Sequence, residues 1–154
     1  MENNNYSRRE FLVKVGSGAA ALAVLTPALG SGAIAMGRSV TAGVGPITLD
    51  LTGSNFKALT RAGGALKIPN TFDNGKPIIV VRTSETTVAA FSSKCTHWGC
   101  ELPLPGNNVI TCPCHGATYT AAGKVTHGPA KKDLMIFPAT LEGSVITITN
   151  ATKK

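Results

Sequence analysis

Two short clusters restrict this chain more than any other feature: Cys95-Thr96-His97-Trp98-Gly99-Cys100 and Cys112-Pro113-Cys114-His115-Gly116. They contain all four cysteines and two of the three histidines. Thiolates and imidazoles bind zinc, and they also bind iron–sulfur centres. The spacing helps to separate the two chemistries. A zinc ribbon is built from two C-x-x-C pairs; here the pairs are C-x-H in the first cluster and C-x-x-H in the second. Each cluster offers one sulfur and one nitrogen, with a second cysteine besides. The expectation is a fold in which two loops present mixed donors to one metal centre, and a structural zinc module is the rival.

The two clusters together resemble the cluster-binding loops of the Rieske iron–sulfur family, whose [2Fe–2S] centre sits on two cysteines and two histidines. The resemblance implies one [2Fe–2S] cluster per chain, with Cys95 and Cys112 on one iron and His97 and His115 on the other. It also implies a disulfide between Cys100 and Cys114, with two free buried thiols as the alternative. Rieske domains of ring-hydroxylating oxygenases lack this extra pair. Its presence points to the higher-potential branch, found in cytochrome bc complexes and in arsenite oxidase. Such a loop contributes up to about 3 kcal/mol by chain entropy, and less where a metal centre already ties the same loops.

Two ferric ions, two sulfides and two thiolates carry no net charge together when both imidazoles are neutral, and reduction adds one negative charge. Imidazole in place of two thiolates raises the potential above that of all-thiolate ferredoxins. Each ligand imidazole keeps one ring nitrogen free. At an exposed loop tip that nitrogen can exchange a proton as the centre exchanges an electron, which oxidation of a hydroquinone requires. His97 and His115 are thereby the candidate catalytic residues.

Neighbouring residues refine the expectation. In the cytochrome bc branch the second loop usually reads Cys-Pro-Cys-His-Gly-Ser-x-Tyr. This chain has Ala117 in place of the serine and keeps Tyr119 at the tyrosine. The resemblance implies that the serine donates to a bridging sulfide and the tyrosine to a ligand sulfur. Such donors stabilise the more negative reduced state and raise the potential. One donor kept and one lost implies a midpoint below the top of the Rieske range, suited to a lower-potential donor such as menaquinol. Tyr119 as a plain core aromatic is the alternative, and Trp98 either shields the centre or packs in the core. Gly128-Pro129-Ala130 resembles the proline-containing third loop that covers the cluster. His127 before it reads as a solvated loop residue rather than a ligand.

Ser7-Arg8-Arg9-Glu10-Phe11-Leu12 resembles a twin-arginine export signal, and a Gly/Ala-rich apolar stretch runs from about Val15 to Met36. The twin-arginine route carries folded proteins. A cluster can thus be inserted in the cytoplasm, and the disulfide can form afterwards on the oxidising, periplasmic side of a bacterial inner membrane. A helix over the apolar stretch would span roughly 33 Å, enough for a bilayer core of about 30 Å. Its glycines and Pro27 leave few strongly apolar residues, worth roughly −2 to −4 kcal/mol of insertion in total. Ala33-Ile34-Ala35 fits a small-residue cleavage site. Residues 1–36 thus read as a signal or a membrane anchor, with both outcomes open.

Residues 37–46 read as a linker or hinge, and 47–151 as one Rieske-type domain. The pattern is all-β. Strands are expected at Ile47–Leu51, Ile78–Arg82, Thr87–Ser92, Val109–Thr111, Thr118–Tyr119, Lys124–Thr126, Met135–Leu141 and Val145–Thr149. Leu59–Leu66 reads as a short helix weakened by Gly63-Gly64. Many short strands with glycine-marked turns indicate a small antiparallel sandwich or barrel. The resemblance places its cluster loops at one tip.

The chain carries a net charge of +7; residues 1–35 hold three basic and two acidic groups, so the remainder keeps +6. Its lysines are scattered, without the arginine and aromatic interleaving of a nucleic-acid surface, so an acidic redox partner or an anionic membrane fits better. No nucleotide loop, serine nucleophile elbow or paired-carboxylate site appears. The expected function is an exported electron carrier, the iron–sulfur subunit of a quinol–cytochrome oxidoreductase, with cytochrome b and c-type cytochrome partners. The alternative is the electron-relay small subunit of a molybdenum oxidoreductase resembling arsenite oxidase, with a molybdopterin partner. Gly116 and Gly128-Pro129-Ala130 favour the first.

Overall fold

The computed structural model describes residues 45–72 and 75–151. The twin-arginine motif, the apolar stretch to Met36 and residues 37–44 of the expected linker lie outside the described residues. Among the described residues no helix is long and apolar enough to cross a membrane.

Short apolar runs separated by turn residues build three antiparallel sheets. The first joins β1 (Ile47–Asp50), β10 (Val145–Ile148) and β9 (Ala139–Glu142) in the order β1-β10-β9. The second joins β2 (Ala65–Ile68), β3 (Ile78–Arg82), β4 (Val88–Ser92) and β8 (Ile136–Phe137) in the order β2-β3-β4-β8. The third joins β5 (Val109–Thr111), β6 (Thr118–Thr120) and β7 (Val125–His127) in that order.

Burial follows position. Strand β3 reads Ile-Ile-Val-Val-Arg and is buried at every residue, as expected of a strand with neighbours on both sides and cores on both faces. One face, through Ile78 and Val80, meets Leu49, Leu59, Phe137 and Ile146 in the first core cluster. The opposite face, through Ile79 and Val81, meets Phe91, Leu102, Ile110, Cys95, Cys112 and Tyr119 in the second. The alternation of side chains along a strand thus puts the base of the molecule on one side of β3 and the floor of the metal site on the other.

Two expected elements are corrected. Leu59–Leu66 is not one helix: a 3-10 helix covers Ser54–Thr60, and the chain then turns into β2. The glycine pair makes the break. Gly63 sits at φ +81°, and a Cβ on Gly64 would lie 1.6 Å from the Ala58 carbonyl oxygen, so only glycine fits. The expected single strand Met135–Leu141 is two strands, divided at Pro138, which has no N–H for a ladder. Before the proline β8 pairs with β4; after it β9 pairs with β10. The chain changes sheets there and locks the two halves of the base together.

Candidate metal centre

Both cysteine–histidine clusters are loops that leave the end of a strand, the first after β4 and the second after β5. Their backbones repeat one pattern. The Cys95 N–H donates to the Cys100 carbonyl at 2.9 Å, and the Gly99 N–H donates to the Cys95 carbonyl at 2.8 Å. The Cys112 N–H donates to the Ala117 carbonyl at 2.7 Å, and the Gly116 N–H donates to the Cys112 carbonyl at 3.0 Å. Gly99 and Gly116 both take the left-handed conformation, at φ +76° and +72°, that closes each loop. The unequal C-x-H and C-x-x-H spacings conceal this likeness in the sequence.

A disulfide links the loops. Cys100 and Cys114 are bonded, with Cα atoms 6.6 Å apart. The Cys112 sulfur lies within 4.8 Å of both disulfide sulfurs. Those two sulfurs have no thiolate to offer, so this trio is no metal site; it shows that the bond packs directly against Cys112. Cys95 and Cys112 remain free thiols, and both are buried.

The two imidazoles meet each other at the loop tips. The rings of His97 and His115 lie 4.9 Å apart, edge to face. His97 is half-buried and His115 is exposed. Nδ1 of His97 is buried with no hydrogen-bond partner. Buried polar atoms are rarely left unpaired, and a buried imidazole nitrogen with no partner is suited to bind a metal. Two sulfur and two nitrogen donors, with the other sulfurs tied up, fit a [2Fe–2S] centre.

Polar contacts around Cys95 also suit a thiolate. Burial works most strongly against its charge. Hydrogen bonds from the Tyr119 hydroxyl, the backbone N–H groups of His97 and Trp98, and the neighbouring Cys112 outweigh it and hold its pKa below the ordinary thiol range. The Tyr119 oxygen is 3.3 Å from Cys95 Sγ and accepts from the Thr96 N–H at 3.2 Å. Burial first, then the bond to Cys95, raises the Tyr119 pKa, so the phenol keeps its proton. Tyr119 is both a buried core aromatic and a donor to the site.

The third loop closes one flank. Gly128 lies at φ +97°, and a Cβ there would meet the Ala117 Cα at 2.7 Å, so the loop backbone rests on the second cluster loop. Ala130 is buried in the same core as Cys95 and Cys112. His127 ends strand β7, exposed, opposite Thr118, and takes no part in the centre. Trp98 does not pack in the core. It is 77% exposed, stacked on His97 at 5.4 Å and edge-on to His115 at 5.3 Å. No motif pointed to Thr96, whose hydroxyl donates to the Lys132 carbonyl at 2.7 Å and joins the first and third loops.

The profile of the Rieske [2Fe-2S] domain family matches residues 63–138, which include both loops, the disulfide and the third loop. The crystal structure of the cyanobacterial plasma membrane Rieske protein from Synechocystis PCC 6803 is 35% identical, with a TM-score of 0.50 over 56% of this chain and 87% of that one. The chain belongs to the Rieske [2Fe–2S] family. Among curated relatives, the cytochrome b6-f complex iron-sulfur subunit of Synechococcus sp. (strain JA-3-3Ab) is 41% identical over 66 residues, 42% of this chain and 38% of that protein. The chloroplastic cytochrome b6-f complex iron-sulfur subunit of Volvox carteri is 32% identical over 138 residues, 84% of this chain and 66% of that protein. The matched part thus spans well under half of the Synechococcus subunit. Proteins of the Rieske family carry a [2Fe–2S] cluster, and the donor set of this chain fits one.

Proposed function

We propose that this chain is the iron–sulfur subunit of a quinol–cytochrome oxidoreductase. It takes one electron from a quinol and passes it to a c-type cytochrome. Cys95 and Cys112 would hold one iron of the cluster, and His97 and His115 would hold the other. When bound, the cluster supplies a one-electron acceptor of raised potential.

The observation that carries this reading is the exposure of the histidine end of the site. His115 and Trp98 face solvent, while both thiols are buried. A quinol can reach an imidazole nitrogen but not a sulfur. His97 or His115 accepts a hydrogen bond from the quinol hydroxyl and takes its proton as the electron leaves. Trp98, stacked on His97 and edge-on to His115, keeps bulk water from one side of the contact. Tyr119 donates to Cys95 and steadies the reduced state. Ala117 offers no such donor to a bridging sulfide, which suits a quinol of lower potential such as menaquinol.

The twin-arginine motif supports export, and the expected site of action is the periplasmic face of a bacterial inner membrane. Partners are a cytochrome b subunit and a c-type cytochrome. Purification of the native complex tests the assignment. A diheme cytochrome b that co-purifies with quinol-dependent reduction of the [2Fe–2S] centre supports it. A molybdopterin subunit in its place, with no quinol oxidation, supports the arsenite-oxidase-like alternative.

A further inference from the structure

The single proton of the Tyr119 hydroxyl has two acceptors within reach. Thr96 decides how it is shared. The Thr96 hydroxyl has one proton of its own, and the Lys132 carbonyl, which only accepts, lies 2.7 Å from it. That proton is committed to Lys132. Toward Tyr119, 3.0 Å away, Thr96 Oγ1 then offers only a lone pair. Cys95 Sγ lies 3.3 Å from the same phenol, an ordinary distance for the larger sulfur atom. Tyr119 has only that one proton to give, and its remaining contact is as acceptor from the Thr96 N–H at 3.2 Å. Tyr119 is fully buried and its contacts with Thr96 are partly buried, while the Thr96–Lys132 bond lies at the surface.

We propose that Thr96 is a positioning residue that holds down the redox potential by drawing part of the Tyr119 proton away from Cys95 Sγ. Thr96 Oγ1 competes for the one phenol proton, so the bond to the thiolate sulfur is made at less than full strength. A full bond to the sulfur would favour the more negative, reduced state. Thr96 accepts from Tyr119 because the third loop, through Lys132, takes the threonine proton. Seating of that loop and the electron affinity of the centre are therefore linked through one hydroxyl.

The inference rests on Cys95 being a cluster ligand. The red-brown absorption of the loaded protein tests that reading separately: a colourless parent protein defeats it, and the potentials below are then not measured. In the full-length, cluster-loaded protein, Thr96→Val removes the competing oxygen and is expected to raise the midpoint potential. Thr96→Ser, which keeps the hydroxyl, is expected to match the parent. In a Tyr119→Phe background Thr96→Val is expected to produce no further rise. An unchanged or lowered potential in Thr96→Val overturns the proposal. So does an equal rise in the Tyr119→Phe background, which marks a merely structural effect. Thr96→Ala runs through the same cycle where the valine variant loads poorly, and its results are read in the same way.

Discussion

The base of the molecule encloses Leu49, Leu59, Leu66, Phe137 and Ile146 between long-range strand pairs, and all five side chains are out of contact with solvent. At the tip, β5, β6 and β7 are three residues each, and their floor includes Cys112, Ala117 and Tyr119. Apolar burial at about 25 cal/mol per Å2 accounts for the first region. It is insufficient for the second, because a three-stranded sheet of such short strands is marginal alone. The tip is held instead by the Cys100–Cys114 bond and by the loop hydrogen bonds. The base is thus an apolar scaffold that needs no cofactor, and the tip is a polar, cross-linked site that exposes His115 and, in part, His97.

Five perturbations, from the largest effect to the smallest, sharpen or break this contrast. Cys112→Ser is expected to abolish the visible absorption of the centre, while far-ultraviolet circular dichroism still shows a cooperative melt of the base. Simultaneous loss of the melt would mean that the two regions are one unit. Leu49→Ala deletes fully buried side-chain volume in the base and is expected to cost about 2–5 kcal/mol in denaturant unfolding. Its midpoint potential should stay at the parent value. The paired change Cys100→Ala and Cys114→Ala is expected to cost up to about 3 kcal/mol. Its signature is faster bleaching of the centre at the tip. Ala117→Ser restores a hydroxyl next to the second cluster loop, and redox titration should show a higher midpoint potential.

The smallest effect concerns Glu101, which pairs with Lys67 at 2.9 Å and with Lys76 at 3.6 Å. The hydrogen bond from Lys67 lowers its pKa most, against the opposing effect of burial. A carboxyl whose pKa is lowered on folding adds stability above its unfolded pKa, about 4.3, and that stability is lost as pH falls through the lower folded value. Its side chain is 40% exposed, so solvent screening limits the contribution to about 0.5 kcal/mol. Glu101→Gln should lower the unfolding free energy slightly at pH 7 and make no difference near pH 2.

The chemistry of the tip was legible because ligand residues are rare and their identity is their function. Four cysteines in two loops could be read as two ligands and a bridge through the family resemblance, and the bond between Cys100 and Cys114 is present. Strand β3 was legible because five consecutive residues with four β-branched side chains suit a buried strand. Other features depend on distant partners. Arg82 reads as the charged end of a strand, yet it is buried, because the backbone carbonyls of Leu59, Ser84 and Glu85 accept its guanidinium. The break at Pro138 was visible only once the two halves were seen to pair with different sheets. Trp98 was ambiguous, and Thr96 went unread, for the same reason. Nothing within the first loop reveals that one reaches Lys132 and Tyr119, or that the other stays outside the core.

Electron paramagnetic resonance of the purified protein after reduction, with iron and acid-labile sulfide measured on the same sample, tests the ligand assignment most directly. A rhombic signal from a mixed-valence pair, with iron and sulfide in equal amounts, is the expected result. A silent spectrum from a colourless protein that holds stoichiometric zinc would contradict it.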